Sequence, residues 1–237
     1  MKKITKTVYI LVGVLLLLGA NSCTSDYLNV DHYSILNADQ MFKSDEDAKA
    51  GLVGCYTMML PTDIDGDWGI KPNLFIGGHP TMDTQATGWD KDWNTQNWTP
   101  GSPELLGGWK QAYTAISRCN DFLAGLSKAD KVTPAVKTSL DGQARCIRAF
   151  YYMWLAKAFG RVPMLATGET YINTPEKARA KDFAEMWDFI IADLKAAVEE
   201  LDWDPIPAYG SYTRKSSVLS LIHIIILNGN SSGNGAG

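Results

Sequence analysis

The stretch QARCIRAFYYMWLAKAFGRVP, residues 143–163, decides the fold of this 237-residue chain. Its apolar side chains recur at intervals of three and four residues, which places them on one face of an α-helix that is wide enough to pack against another helix. The members of this face are Ile147, Tyr151, Trp154, Leu155 and Phe159. We expect Arg145, Arg148 and Lys157 to lie largely outside it.

The residues that flank this stretch set the limits of the helix. Thr133 offers a hydroxyl to an unpaired N–H group, and the ring of Pro134 fits the first helical turn. Gly160 tolerates the left-handed turn that ends many helices, and Pro163 prevents the helix from resuming. The sequence therefore predicts one helix from about Pro134 to Phe159.

Four further segments have helical periodicity. They begin after Ser44, near 105, near Phe183 and after Thr213, and we expect Ser44 and Thr213 to cap their helices. The segment over 105–123 and the central helix are joined by a short polar loop, which predicts a helical hairpin. The predicted fold class is mainly α, with tetratricopeptide-like helical hairpins and a long irregular Trp-rich loop region over 61–103.

The central stretch also resembles the signature helix of the SusD/RagB family, the surface glycan-binding lipoproteins of Bacteroidetes. The resemblance rests on Arg145, Arg148-Ala-Phe-Tyr-Tyr152, Leu155, Phe159-Gly160 and Val162-Pro163. It implies a SusD-like helical domain over 23–227, followed by a low-complexity tail over 228–237. Because family members are about twice as long, we expect a truncated or frame-shifted product whose apolar segment 218–227 is prone to aggregation.

Residues 1–22 have the pattern of an export signal, with three lysines followed by an apolar run over 8–20 that is short for a bilayer span. Cys23 follows Gly-Ala-Asn-Ser, which resembles the site cut by the lipoprotein signal peptidase. We therefore expect acyl chains such as palmitate on Cys23 and anchoring in the outer membrane at the cell surface. An ordinary secretory signal with an incidental cysteine is the alternative.

Composition excludes several classes of function. Removal of residues 1–22 changes the formal net charge from −4 to −7, so nucleic acid is not an expected partner. Cys55, Cys119 and Cys146 lack metal-ligand spacing, and we expect buried thiols, with a Cys119–Cys146 bridge as the alternative.

The candidate ligand-binding residues lie in the Trp-rich region. They are Trp89, Asp90, Trp93, Asn94 and Trp98. Indole rings stack on the apolar faces of pyranose sugars, while carboxylate and amide groups bond to hydroxyls. In the alternative interpretation, some of these tryptophans only cover the helical body.

Catalytic and cofactor motifs are not found in the sequence. Asp63, Asp65 and Asp67 have the spacing of a calcium loop, but the glycine and the bidentate glutamate that follow in such a loop are missing, so a plain acidic turn is expected. A glycosidase would need a carboxylate pair such as Asp83 and Asp90 at a suitable separation. We expect no enzyme activity, no cofactor and no metal.

The resemblance implies a protein that captures an oligosaccharide or polysaccharide and passes it to a SusC-type TonB-dependent outer-membrane transporter. Binding would occur without bond cleavage. Two alternatives stay open, a peptide-capturing RagB-like lipoprotein and a helical-repeat protein-interaction module without a small ligand.

Overall fold

The computed structural model describes residues 41–59, 81, 85, 94–95, 97, 99, 101–203 and 213–232. These residues belong to one compact unit, Asn37–Gly237. Within this part of the chain the structure is mainly α-helical. The helices are α1 (Asp45–Tyr56), α2 (Pro103–Ser127), α3 (Pro134–Phe159), α4 (Phe183–Glu200) and α5 (Lys215–Ser232).

The central helix α3 has the predicted limits, and most of it is buried. Gly160 ends it with a φ of 71°, a left-handed conformation that favours glycine. The predicted face is buried at Ile147, Tyr151, Trp154 and Leu155 and half-buried at Phe159. The prediction for Arg148 was wrong, because its side chain is buried and pairs with a carboxylate of α4.

The start of α3 also differs in detail from the prediction. Thr133 stands at the N-cap, but its side chain does not cap the helix. Its hydroxyl instead donates to Asp45 Oδ2 (3.0 Å), and its N–H donates to Asp45 Oδ1 (2.7 Å). The first residue of α1 thereby fixes the start of α3.

Helices α2 and α3 form the predicted antiparallel hairpin. The ammonium of Lys137, near the start of α3, donates to the carbonyl of Ser127 at the end of α2 (2.9 Å). At the opposite end, the indole of Trp154 lies over Gly108, where a Cβ atom would stand 2.7 Å from a ring carbon. Glycine is therefore required at position 108 for this close approach.

Helix α1 packs across the hairpin. As predicted, the hydroxyl of Ser44 caps it by accepting from the Asp47 N–H (3.1 Å). Leu52 and Cys55 are buried against α2 and α3. Cys55, Cys119 and Cys146 are all free thiols in buried positions, so the alternative bridge is not formed.

Helix α4 makes the most extensive packing with α3. Asp182 caps it by accepting from the Glu185 N–H (2.8 Å), and its buried face includes Met186, Ile190 and Leu194. Phe183 is 54% exposed because it stands at the very start of the helix.

Helix α5 packs on α4 through the buried Val218. It begins two residues after Thr213, whose hydroxyl lies 2.5 Å from the hydroxyl of Tyr56. Among the residues that the structure describes, no helix combines the length and the hydropathy of a membrane span.

Candidate functional site

Most of the residues predicted to bind ligand lie outside the described part of the chain. This is true of Trp89, Asp90, Trp93 and Trp98, as it is of Cys23. Asn94 is described, and it is a half-buried residue of a turn. The Trp-rich platform and the lipid anchor therefore stay predictions.

The described residues form a cleft that the sequence did not predict. It lies between the first half of α2 and the irregular connector over 160–180, and its volume is about 410 Å³. Pockets for small ligands in proteins commonly measure roughly 300–1,000 Å³. The cleft is lined by Trp109, Lys110, Tyr113, Thr114, Pro163, Leu165, Tyr171, Thr174, Pro175 and Lys177.

Aromatic rings supply much of the cleft wall. The half-buried Trp109 packs edge-on against Phe159, with ring centroids 5.0 Å apart, and against Tyr113 at 4.8 Å. Tyr171, across the cleft on the connector, is 47% exposed. Trp109 is thus held by its neighbours, while Tyr171 offers a free ring surface for stacking.

Tyr113 is the anchor between helix and connector. Its hydroxyl donates to the carbonyl of Pro163 (2.8 Å), and the side chain is only 5% exposed. Burial raises the pKa of this phenol well above its usual value, so the hydroxyl stays protonated and keeps donating.

A buried asparagine holds the middle of the connector. The Asn120 amide donates to the carbonyls of Leu165 (3.3 Å) and Glu169 (2.7 Å), while its backbone carbonyl accepts from the Gly168 N–H (3.3 Å). Gly168 has a φ of 84°. Tyr152 adds a further bond, since its hydroxyl accepts from the Leu165 N–H (2.6 Å).

Arg148 connects this asparagine to α4. Its guanidinium donates twice to the Asp193 carboxylate, from Nε and from Nη2, at 2.7 Å each. Its Nη1 donates to Asn120 Oδ1 (2.5 Å) and to Thr167 Oγ1 (3.0 Å). The arginine of the signature helix is therefore a positioning residue that joins α2, α3, α4 and the connector.

A separate turn positions Tyr171 itself. The Tyr171 N–H donates to the Ser117 hydroxyl on α2 (3.2 Å). The Thr170 N–H donates to Asn173 Oδ1 (2.7 Å), and the Asn173 amide donates back to the Gly168 carbonyl (3.0 Å). The exposed ring is thus carried by a backbone that is hydrogen-bonded on both sides.

Two lysines line the cleft. Lys110 is exposed on α2, whereas Lys177 donates to both oxygens of Glu169 (2.9 and 2.8 Å). The hydrogen bond from Lys177, aided by one from the Ala166 N–H, holds the pKa of Glu169 below its usual range. Arg179 stands beside the cleft, because its backbone is bridged to that of Pro163.

This arrangement suits binding. Rings, prolines and Leu165 offer apolar surface, and the lysines and threonines offer polar contacts at its edge. Within the described ranges no group of three His, Cys, Asp or Glu side chains could hold a metal ion.

The cleft has only weak signals in the sequence. Trp109 and Tyr113 belong to the helical periodicity of α2, and this pattern favours a packing role. The connector has no periodicity, and its shape depends on hydrogen bonds to residues some 50 positions away, such as Tyr171 to Ser117. Its clearest signal is Tyr171-Ile172, the two large apolar residues of the stretch 166–180.

The chain belongs to the SusD-like family. A SusD-like family model, described as starch-binding and associating with the outer membrane, matches residues 26–225. A curated relative, SusD-like protein P38 of Formosa agariphila, is 30% identical over 207 residues, which are 85% of this chain and 39% of the relative. The chain thus spans about two fifths of that relative's length. The family resemblance of the central stretch is confirmed.

Solved structures agree on the fold. A laminarin-binding SusD-like protein superposes with a TM-score of 0.65 at 18% identity, over 81% of this chain and 42% of that chain. Surface glycan-binding protein A from Bacteroides thetaiotaomicron superposes with a TM-score of 0.61 at 21% identity, over 81% of this chain and 40% of that chain. At these identities the likeness establishes the helical architecture.

Proposed function

We propose that this chain acts in a cell-surface lipoprotein that captures oligosaccharide or polysaccharide without cleaving it. The observation that carries the proposal is the match of residues 26–225 to a family described as starch-binding and associating with the outer membrane. The names of the laminarin-binding and surface glycan-binding relatives support it.

The proposed ligand platform is the Trp-rich segment, with Trp89, Trp93 and Trp98 as stacking surfaces. Sugar rings present C–H faces to indole, and Asp90 and Asn94 can bond to hydroxyls beside them. The loss of each stacking ring weakens binding, so the aromatic residues should dominate the affinity.

Isothermal titration of the full chain with neutral oligosaccharides tests this platform. The double variant Trp93→Ala, Trp98→Ala should lose at least tenfold in affinity, on the order of the value of two aromatic contacts. Trp203→Ala is the matched control, because Trp203 is 63% exposed and follows the end of α4 in the sequence. Peptide binding that survives the double substitution would favour a peptide-capturing lipoprotein instead.

The proposed location is the outer membrane at the cell surface, with acyl chains on Cys23 as the anchor. Several acyl chains hold a protein stably on a bilayer, whereas one chain holds it weakly. Labelling of growing cells with a palmitate analogue should mark the wild-type protein but not Cys23→Ser, which should be released from the membrane fraction. Equal labelling of both proteins would overturn the anchor.

The proposed partner is a SusC-type TonB-dependent transporter that receives the captured glycan. This step rests on membership of the SusD-like family. Purification of the tagged chain from its native membrane, followed by identification of the retained proteins, should recover such a transporter. Recovery of the chain without a transporter, under conditions that keep outer-membrane complexes intact, would contradict the partnership.

A further inference from the structure

We propose that the cleft between α2 and the connector binds an acidic saccharide, a sugar that carries a carboxylate or a sulfate ester. The inference rests on the proposed glycan-binding function and adds a ligand class and a second binding site. The site is separate in sequence from the Trp-rich segment.

The cleft offers an apolar surface on which a sugar ring can stack. The ring of Tyr171 is 47% exposed, and Trp109 stands opposite it, fixed by its edge-on contact with Phe159. A ring held in this way stacks on a ligand with little further loss of conformational freedom. Pyranose rings have flat C–H faces that fit such a surface.

The lining of the cleft carries positive charge. The described residues that line the cleft include Lys110 and Lys177 but no aspartate or glutamate, in a chain whose formal net charge is −4. Arg179 is held beside the cleft by its backbone bridge to Pro163. Lys177 and the nearby Glu169 neutralise each other, so the net positive charge of the lining comes from Lys110. The lining is therefore cationic where the chain as a whole is acidic.

The two lysines of the cleft differ in their partners. Lys177 is fixed by Glu169, and one of its ammonium hydrogens remains for a ligand. Lys110 is exposed and lines the cleft, so its ammonium can reach a ligand anion. A neutral sugar would gain little from this charge, whereas a carboxylate or sulfate would form a charge-assisted hydrogen bond.

The hydroxyl groups complete the match to a sugar. Thr114 donates its hydroxyl hydrogen to the Lys110 carbonyl (2.8 Å), and Thr174 donates to Asn173 Oδ1 (2.8 Å). Both hydroxyl oxygens keep acceptor capacity. Sugar hydroxyls can therefore donate at the same edge of the cleft where the lysines donate.

The test is a titration of the full chain with three trisaccharides. These are trigalacturonate, its carboxyl-reduced neutral counterpart, and the same neutral trisaccharide carrying sulfate esters. At low salt we expect trigalacturonate or the sulfated sugar to bind roughly tenfold more tightly than the neutral one, as one hydrogen bond to a charged group allows. The two acidic sugars distinguish carboxylate from sulfate. The preference should weaken as salt is added.

Substitutions at position 110 assign the preference to the cleft. Lys110→Met should remove most of it, and Lys110→Arg should retain it because the positive charge remains. Lys128→Met is the matched control, since Lys128 is exposed beyond the opposite end of the same helix. Lys177→Met should also lower it, with the melting temperature recorded because the pair with Glu169 is lost.

The contrary outcomes are separable. Equal affinity for acidic and neutral trisaccharides would overturn this inference and leave the proposed function standing. A preference that persists in Lys110→Met and disappears in Trp93→Ala, Trp98→Ala would also overturn it, because the acidic sugar would then bind in the Trp-rich segment. Failure of every saccharide to bind the folded chain would overturn both proposals.

Discussion

Two arginines on α3, only three positions apart, meet the carboxylates of α4 in different ways. Around Arg148, every hydrogen-bonding nitrogen has a partner at 2.5–3.0 Å, and Asp193 receives two parallel bonds. Arg145 donates to Asp141 and, at 3.4 Å, to Asp193 Oδ1, and it lies 3.9 Å from Glu200 Oε2, a buried atom that accepts no hydrogen bond. One cluster is matched, and the other contains an excess of carboxylate.

The two clusters differ in how far their charges are buried. Arg148 and Asp193 of the matched cluster are 3–4% exposed, and Arg148 holds the connector that forms the cleft through Thr167. The unmatched cluster is partly open to solvent, with 26–29% of the Glu200 and Arg145 side chains exposed. Burial raises the pKa of Glu200 to about 8, and repulsion from Asp141 adds to this. Protonation of Glu200 removes the unfavourable buried charge in one cluster, whereas hydrogen bonds offset the cost of buried charge in the other.

The largest expected effect comes from breaking the matched cluster. Asp193→Asn leaves the Arg148 guanidinium buried without its counter-charge, and we expect a loss of about 3–5 kcal/mol in the free energy of unfolding. Urea denaturation measures this loss. Asp188→Asn, an exposed change on the same helix, should change stability by less than about 0.5 kcal/mol. Equal stability of the two variants would mean that the ion pair does not organise the core.

A smaller effect is expected when the Arg148–Asp193 ion pair is kept but the link from Asn120 to the connector is cut. Asn120→Ala leaves the carbonyls of Leu165 and Glu169 without their side-chain donor, which should cost about 1–3 kcal/mol. Amide hydrogen exchange should increase at residues 165–169 and stay low in the middle of α3. Ser127→Ala, at an exposed position of α2, is the control. Unchanged exchange in the connector would contradict the positioning role.

The smallest effect is expected at the unmatched cluster, and its sign is opposite. Because the pKa of Glu200 is about 8 in the folded state and near 4.5 otherwise, its stabilising contribution is complete below pH 4.5 and is lost as the pH rises towards 8. Glu200→Gln should therefore be more stable than wild type at pH 9, by about 1–2 kcal/mol, as one pKa unit is about 1.4 kcal/mol.

Thermal unfolding between pH 5 and pH 9 measures this contribution. The wild type should lose stability over this interval through Glu200, and the loss should be smaller in Glu200→Gln. Glu199→Gln is the control, because Glu199 is an exposed neighbour. A steeper loss in Glu200→Gln than in wild type would show that the carboxylate is stabilising.

The two clusters also mark the limit of prediction from sequence. Thr133-Pro134 and Gly160 were enough to predict both ends of α3, because helix limits depend on neighbouring residues. The burial of Arg148 was missed, since its partner Asp193 lies 45 positions away and periodicity assigns charged residues to the surface. Local pattern predicts the helix, whereas the matching of charges is a tertiary property.

The candidate site divides in the same way. The Trp-rich segment could be proposed from composition, because clustered indoles in a polar loop are unusual, and it stays a prediction. The cleft could not, because its wall is an irregular connector whose path is set by Asn120, Ser117 and Tyr113 on another element. The expectation of a truncated product likewise remains untested.

The most direct test of glycan capture is a glycan-array screen of the full chain. We predict that the folded chain retains at least one saccharide, that Trp93→Ala, Trp98→Ala loses the neutral ligands, and that Lys110→Met loses the acidic ones. A folded chain that retains no saccharide of any class would contradict the proposal that this SusD-like chain captures glycan.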